Sequence, residues 1–279
     1  MASYNAISPE KLVRLIGTPK APIIIDVRDD DDFATAPYLL PTAIRQGHSD
    51  VEAWASTPAY RDRGVVVACQ KGLKLSEGVA ALLRLAGAQA EILEGGFAAW
   101  QAAALPLVPV RSLPQGRTAG GTLWVTRSRP KIDRIACPWL IRRFVDPAAK
   151  FLFVSPSEVE AVAARFGATP FDIEGVFWSH RGELCSFDVF VEEFGLAFPA
   201  LKHVARIVRG ADTNRPDLEP QASGLLAISL GLSRMYADDL EQLEAGMLIY
   251  DALYRWARDA ADEMHDWVSH TPRKRDGRE

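Results

Sequence analysis

The chain has 279 residues, 48% hydrophobic and 24% charged, enough apolar content for one large core or two ordinary ones. A net charge of −4 argues against a general nucleic-acid binder, and no apolar stretch approaches the roughly 20 residues of a membrane span, so neither nucleic acid nor membrane is an expected partner. Three scattered cysteines make no disulfide framework and Met1 opens no basic-plus-apolar leader, so a reducing, cytoplasmic setting is expected.

In chain order, Ser8-Pro9-Glu10 opens a helix with a serine cap and a proline in the first turn. Ile23-Ile24-Ile25-Asp26 reads as a buried strand, followed by Val27-Arg28, an acidic stretch with Phe33, and Leu40-Pro41-Thr42-Ala43-Ile44-Arg45. Val65-Val66-Val67-Ala68 is a second buried strand. It ends at Cys69, which opens a loop of Gln70, Lys71, Gly72, Leu73 and Lys74 before a helix over residues 76–85 that Gly87 stops. Ala90-Glu91-Ile92-Leu93 is a third strand, ahead of Gly95-Gly96-Phe97 and Trp100. Strands alternating with helices predict a parallel α/β sheet, whose ligands bind at the carboxyl ends of strands, where Cys69 lies. Loop amides and a helix N-terminus favour a thiolate there, the nucleophilic form of cysteine, and Lys71 and Lys74 add charge. The competing readings are a small buried core cysteine and a solvated basic pair.

The ordered set Asp26-Val27-Arg28, Leu40 to Arg45, Cys69 with its glycine loop, and Leu93-Glu94-Gly95-Gly96-Phe97 resembles a single-domain rhodanese over about the first 110 residues. The resemblance implies an α/β rhodanese-like parallel-sheet domain over residues 1–110. It implies a sulfurtransferase that carries sulfur as a persulfide on Cys69, with a small donor such as thiosulfate and a thiol acceptor as partners. Gln70, Lys71, Gly72, Leu73, Lys74 and Arg28 are the expected donor-binding residues. Many rhodaneses carry arginine where this loop has Gln70 or Lys74, and a lysine is a point charge where arginine is a planar fork. Phosphatases and arsenate reductases of related fold close a longer loop with an arginine six positions after the cysteine. Leu75 stands there, so phosphate-ester hydrolysis is disfavoured.

Residues 111–121, rich in proline, glycine and polar side chains, read as a linker, and residues 271–279 as a frayed polar tail. Between them, residues 122–270 read as a mixed, mostly helical α+β domain. Strands are expected over residues 123–126 and 151–154. Helices are expected over 132–145, over 157–166 with a serine cap and a Gly167 stop, and over 200–209, 221–235 and 238–267.

Three segments here are more polar than packing requires: residues 131–144, Phe171-Asp172 with Ser179 to Asp188, and Val208-Arg209-Gly210-Ala211-Asp212. Their order is similar to the C-terminal domain of the chromate-resistance protein family of ChrB type, which implies an association with chromate resistance. From the residues alone, His180, Glu183, Cys185 and Asp188 lie within nine positions and offer ligands for zinc, iron or manganese, with Asp133, Cys137 and Asp212 able to approach in the fold; His180, Glu183, Asp188 and Asp212 are the expected set for a divalent ion. Their spacing matches no closed zinc motif. A hydrogen-bonded loop histidine with capping carboxylates is the alternative, and Asp188 would suit a helix N-terminus if Ser186 starts a helix. Arg134 is the expected anion-binding residue, eight positions before Arg142, so both could share a helix face. A non-catalytic oxyanion-binding, metal-binding or redox-sensing protein is the second functional reading.

Overall fold

The computed structural model describes residues 5–114 and 120–263. In chain order the first unit contains β1 (Ala6–Ile7), α1 (Pro9–Leu15), β2 (Ile23–Asp26), α2 (Asp30–Thr35), β3 (Tyr38–Leu39), β4 (Ile44–Arg45), α3 (Val51–Ala55), α4 (Ala59–Asp62), β5 (Val65–Ala68), α5 (Lys74–Leu85), β6 (Ala90–Leu93), α6 (Gly96–Ala102) and β7 (Val108–Pro109). A parallel sheet orders its strands β1-β6-β5-β2-β4. The central strand β5 is buried on both faces because alternate residues serve two cores. Ile24, Val66 and Leu93 face Leu12, Phe97 and Trp100, while Ile25, Val67 and Ile92 face Val51, Val79 and Leu83. The antiparallel pair β3–β7 brings the chain back along this unit before it leaves.

The second unit follows with β8 (Leu123–Arg127), α7 (Asp133–Leu140), β9 (Lys150–Val154), α8 (Val159–Phe166), β10 (Thr169–Pro170), α9 (Ser186–Glu193), α10 (Pro199–Asp212), α11 (Ala222–Met235) and α12 (Asp239–Asp259). Its parallel sheet β10-β8-β9 turns Val125 toward Val159 and Ala168, and Trp124 toward the helices. There Trp124 meets Phe190 at a 5.5 Å ring separation, and Phe190 meets Trp178 at 4.5 Å, so aromatic surface fills most of this core. The fold is thus a rhodanese-type α/β unit followed by a mostly helical α+β unit. Among the described residues no helix is long and apolar enough to cross a membrane.

The units touch at Phe144. Its carbonyl, left free at the end of a helical run, accepts the amide of Thr42 at 2.9 Å. Its ring packs on Tyr254 at 5.3 Å and fills space that a side chain at Gly17 would occupy, where a Cβ would lie 2.3 Å from Cζ. Arg258 adds a bond to the carbonyl of Arg14 at 3.0 Å.

Several elements depart from the sequence reading. The expected helix over residues 132–145 is α7 followed by a wider π turn, Ile141–Val145. Pro138 inside the run has no amide to donate, which breaks the regular ladder. Ser157 caps nothing, because Pro156–Glu158 winds as a short 3-10 turn and α8 starts from Glu158, though Gly167 ends it in the left-handed conformation, φ 64°. The helix after the Cys69 loop starts at Lys74, two residues before Ser76. The last helix ends at Asp259, short of residue 267. Of the expected linker, Arg111 to Pro114 line a cleft with Pro170 and Trp178 of the second unit, while residues 115–119 lie outside the described residues, as does the expected tail, 271–279.

Arg28 is corrected from donor ligand to internal brace. It is 2% exposed, its Nη2 is 2.6 Å from both Asp26 Oδ2 and the Tyr38 carbonyl, its Nη1 bonds the Ala36 carbonyl at 3.1 Å, and its guanidinium lies 3.8 Å over the Phe97 ring. A guanidinium sealed this way ties β2 to α2 and β3 and is withheld from solutes. Arg28→Met should therefore destabilise the chain by about 3–5 kcal/mol in urea denaturation, since Asp26 is left buried and unpaired. Adding Asp26→Asn should recover part of that loss.

Candidate functional sites

Cys69 leaves β5 at its carboxyl end and is 5% exposed. The loop curls so that the Leu73 amide points at Sγ, 3.4 Å away, with the Ser76 hydroxyl at 3.3 Å. Burial is the largest single influence on the thiol and raises its pKa. Hydrogen bonds from the Ser76 side chain and from the amides of Ser76, Leu73 and Lys71 together outweigh it and hold the pKa below the ordinary 9.0. This is anion stabilisation by oriented dipoles.

The loop is fixed from behind. The Gly95–Gly96 turn docks on it, Phe97 donates to the Cys69 carbonyl at 2.9 Å, and Ala98 donates to that of Gln70 at 3.0 Å. The approach is so close that a Cβ on Gly96 would lie 2.2 Å from the Cys69 oxygen. Gly72 is buried beneath that turn, Gln70 is half-buried with its Oε1 unbonded, and Leu73 is exposed. Lys71 and Lys74 are exposed and engage no ion-pair partner among the described residues, so both ammonium groups remain available to an anion.

The second cluster is built by four helices and two bent loops. Loop 128–132 is stitched to α12. Arg129 donates its amide to Asp239 at 3.0 Å, Gln242 bonds the Pro130 carbonyl at 2.6 Å, and Tyr250 bonds the Ile132 carbonyl at 3.1 Å. These ties hold Ile132 at φ 35°, a conformation that a β-branched residue avoids, and the next residue is Asp133. Asp133 is 1% exposed. Its Oδ2 receives the Phe187 amide at the start of α9 at 3.3 Å, and its Oδ1 has no hydrogen-bond partner. Asp172, also left-handed at φ 53°, takes the Ser186 hydroxyl at 2.7 Å. It is further paired with Arg127 at 3.2 Å and Arg134 at 3.3 Å. Asp212 arrives from the last residue of α10.

His180 stands among these carboxylates. Its Nε2 is 3.3 Å from Asp212, 3.5 Å from Asp172 and 3.6 Å from Asp133. Asp172 first and Asp212 next hold the imidazole pKa up at about 10. Burial, reinforced by Asp212 and Asp172, pushes Asp133 well above the usual carboxylate range. Burial also raises Asp172, but His180, Ser186 and the two arginines prevail and lower it. The thiols of Cys137 and Cys185 are fully buried and pushed up, by burial first and the carboxylates second. A cleft of about 440 Å³, lined by Arg127, Asp172, Ser179 and His180, opens onto the cluster.

The structure thus brings His180, Asp212 and Arg134 together with Asp133 and Asp172, and leaves two expected ligands outside. Glu183 is exposed on the tight turn in which Arg181 and Leu184 exchange backbone bonds, so it points to solvent. Asp188 caps α9 by accepting the Cys185 amide at 3.1 Å and faces Arg209 at 3.5 Å. Arg142 turns to Glu244 at 2.5 Å and does not share a site with Arg134. Ser76 and Asp172 were missed as site residues. Ser76 had a signal: it occupies the buried stripe Ser76, Val79, Ala80, Leu83, where an apolar side chain is expected.

Comparison with known proteins matches this two-part geometry. Residues 8–103 fit the rhodanese-like domain, and residues 124–257 fit the ChrB C-terminal domain. The chain therefore joins a rhodanese-like domain to a ChrB C-terminal domain. Protein ChrB of Cupriavidus metallidurans is 32% identical over 135 residues, a match covering 48% of this chain and 40% of that protein. The chain thus spans well under half the length of that curated relative. Among solved structures, a rhodanese-related protein from Thermoplasma volcanium is similar at 24% identity and TM-score 0.32, over 38% of this chain and 98% of that one. Thiosulfate sulfurtransferase from Pseudomonas aeruginosa is similar at 26% identity and TM-score 0.33, over 39% of this chain and 20% of that one.

Two measurements check these environments. In iodoacetamide titration, Ser76→Ala should move the pH midpoint of Cys69 alkylation up by about one unit, equivalent to about 1.4 kcal/mol, while Cys137 and Cys185 stay unreactive at neutral pH. In chelator-treated protein, the raised His180 pKa stabilises the fold fully below about pH 6.5 and is lost as pH rises through about 10. His180→Asn should flatten that alkaline limb of the stability curve.

Proposed function

We propose that the N-terminal unit is a sulfurtransferase that carries sulfur as a persulfide on Cys69, working beside a ChrB-type unit that binds an oxyanion, substrate or metal in the response to chromate or metal stress. The observation that carries this reading is the Cys69 thiol under the Leu73 amide and the Ser76 hydroxyl, ringed by dipoles that favour its anion. The two free lysines supply what the dipoles do not, a long-range attraction for an anionic donor.

The chemistry has two balanced steps. The Cys69 thiolate attacks the outer sulfur of thiosulfate; a new sulfur–sulfur bond forms, the old one breaks, and sulfite leaves with its electron pair. A thiolate acceptor then attacks the outer sulfur of the persulfide, and Cys69 departs as a thiolate. The amides of Lys71, Leu73 and Ser76 face the Cys69 sulfur, where they favour the thiolate that attacks the donor in the first step and departs in the second. No outside oxidant enters, and the free thiol that starts each cycle fits a reducing, cytoplasmic compartment. Leu75, at the position where a phosphate clamp needs arginine, weighs against ester hydrolysis.

Thiosulfate should raise the intact mass of the full chain by one sulfur atom, and cyanide should remove it as thiocyanate. Cys69→Ser should lose the mass gain and lower turnover by about three orders of magnitude or more. Lys71→Met with Lys74→Met should raise KM for thiosulfate with a smaller change in kcat. An unchanged mass gain in Cys69→Ser would refute the assignment.

A further inference from the structure

We propose that Asp133, His180 and Asp212 form a site for a single divalent first-row transition-metal ion. One donor atom from each of the three lies within 4.8 Å of the other two, and Nε2 of His180 is 3.3 Å and 3.6 Å from the facing aspartate oxygens. Donors about 2.1 Å from a common ion stand about 3.0–3.4 Å apart at octahedral or tetrahedral angles. The two imidazole–carboxylate pairs are thus near coordination dimensions, and the ion would draw all three donors onto a common centre.

Acidic clusters are common, and the cluster alone would not carry this inference. Asp133 does. It is sealed at 1% exposure, with no hydrogen-bond partner for Oδ1, while Oδ2 has one long amide contact of 3.3 Å and the His180 imidazole at 3.6 Å. A carboxylate is rarely buried unless it is paired or coordinated. The neighbouring cations are engaged elsewhere. Arg127 and Arg134 pair with Asp172, and Arg209 pairs with Asp188. Two carboxylates are left sharing one imidazole. A divalent ion would balance them and give the orphaned oxygen a partner.

The donor set selects the kind of ion. Two carboxylate oxygens and one imidazole nitrogen suit manganese, iron or zinc. Calcium and magnesium prefer all-oxygen shells. Cys137 and Cys185 lie in the same core but are not needed as ligands. Asp172 accepts from Ser186 and pairs with two arginines, so its charge is already met and it stays out of the coordination shell; its 3.5 Å contact with Nε2 of His180 is the one the ion would replace. Three protein ligands leave coordination positions free, and the half-open His180 side chain at the cleft gives the ion a way in.

The test uses the full chain, stripped with a chelator and desalted. Added Mn²⁺ should lose its free-ion EPR spectrum up to about one equivalent per chain, and Zn²⁺ should release it. His180→Asn and Asp212→Asn should each weaken Mn²⁺ binding by about tenfold or more, whereas Glu183→Gln and Cys69→Ser should bind as the wild type does. Mn²⁺ should also raise the melting temperature of the wild-type chain and not that of Asp212→Asn, whose fold is checked by circular dichroism. Mn²⁺ and Zn²⁺ both remaining free beside folded, stripped wild-type protein would overturn the site and leave the His180 imidazolium as the cation facing Asp133 and Asp212. So would a Glu183→Gln loss as large as that of Asp212→Asn.

Discussion

Burying Asp133 is the constraint around which the helical unit is organised. An ionisable group at 1% exposure is expensive to hold, and the chain commits four helices to holding it. Helix α12 fixes the strained loop ahead of it through Gln242 and Tyr250, α9 presents the Phe187 amide, and α10 brings Asp212 to its end. Trp139 and Arg143 bind Asp251 on α12 at 2.8 Å and 2.7 Å, which clamps α7 and the turn after it in place. Remove the demand for a carboxylate at this point and the positive φ of Ile132 has no purpose.

The two units solve the same electrostatic problem in opposite ways. Cys69 is favoured as an anion by neutral dipoles, with its charged neighbours kept exposed on the loop. Such a site tolerates a change of leaving group or attached sulfur, because no single ion pair must be broken at each step. The aspartate cluster works through full charges at 3.3–3.6 Å around an imidazole, an arrangement that resists change and suits retention of a ligand. Turnover belongs naturally to the first environment and binding to the second.

Most of the first unit was legible because its signals are local. Short runs rich in isoleucine or valine, a capped helix start and a glycine loop each appear within a few positions, and the structure returns the strands at 23–26, 65–68 and 90–93. The role of Arg28 was not legible, because its partners Tyr38 and Phe97 come from separate elements and the guanidinium is stacked where a sequence shows only a positive charge. In the second unit, Glu183 and Asp188 looked like ligands by proximity along the chain. The fold assembles its cluster from residues 133, 172, 180 and 212, and spacing cannot predict that convergence. The clue was of another kind. Asp133 sits on the buried stripe with Ala136, Cys137 and Leu140, as Ser76 sits on the stripe of α5. In both units the polar group at the heart of the candidate site is the one that interrupts an apolar face.

The contact at Phe144 bears on how freely such a chain can be rearranged in evolution. Its carbonyl is completed by an amide of the other unit, from Thr42, held at φ 67°, and its ring requires the bare backbone of Gly17. A homologous α/β unit dropped into this chain would have to bring both a left-handed residue and a missing side chain at matching places, or leave a helix end unsatisfied and an aromatic ring without a seat. Fusion here has gone beyond tethering. The two parts have been fitted to each other, and the fit at Phe144 restricts further shuffling of either one.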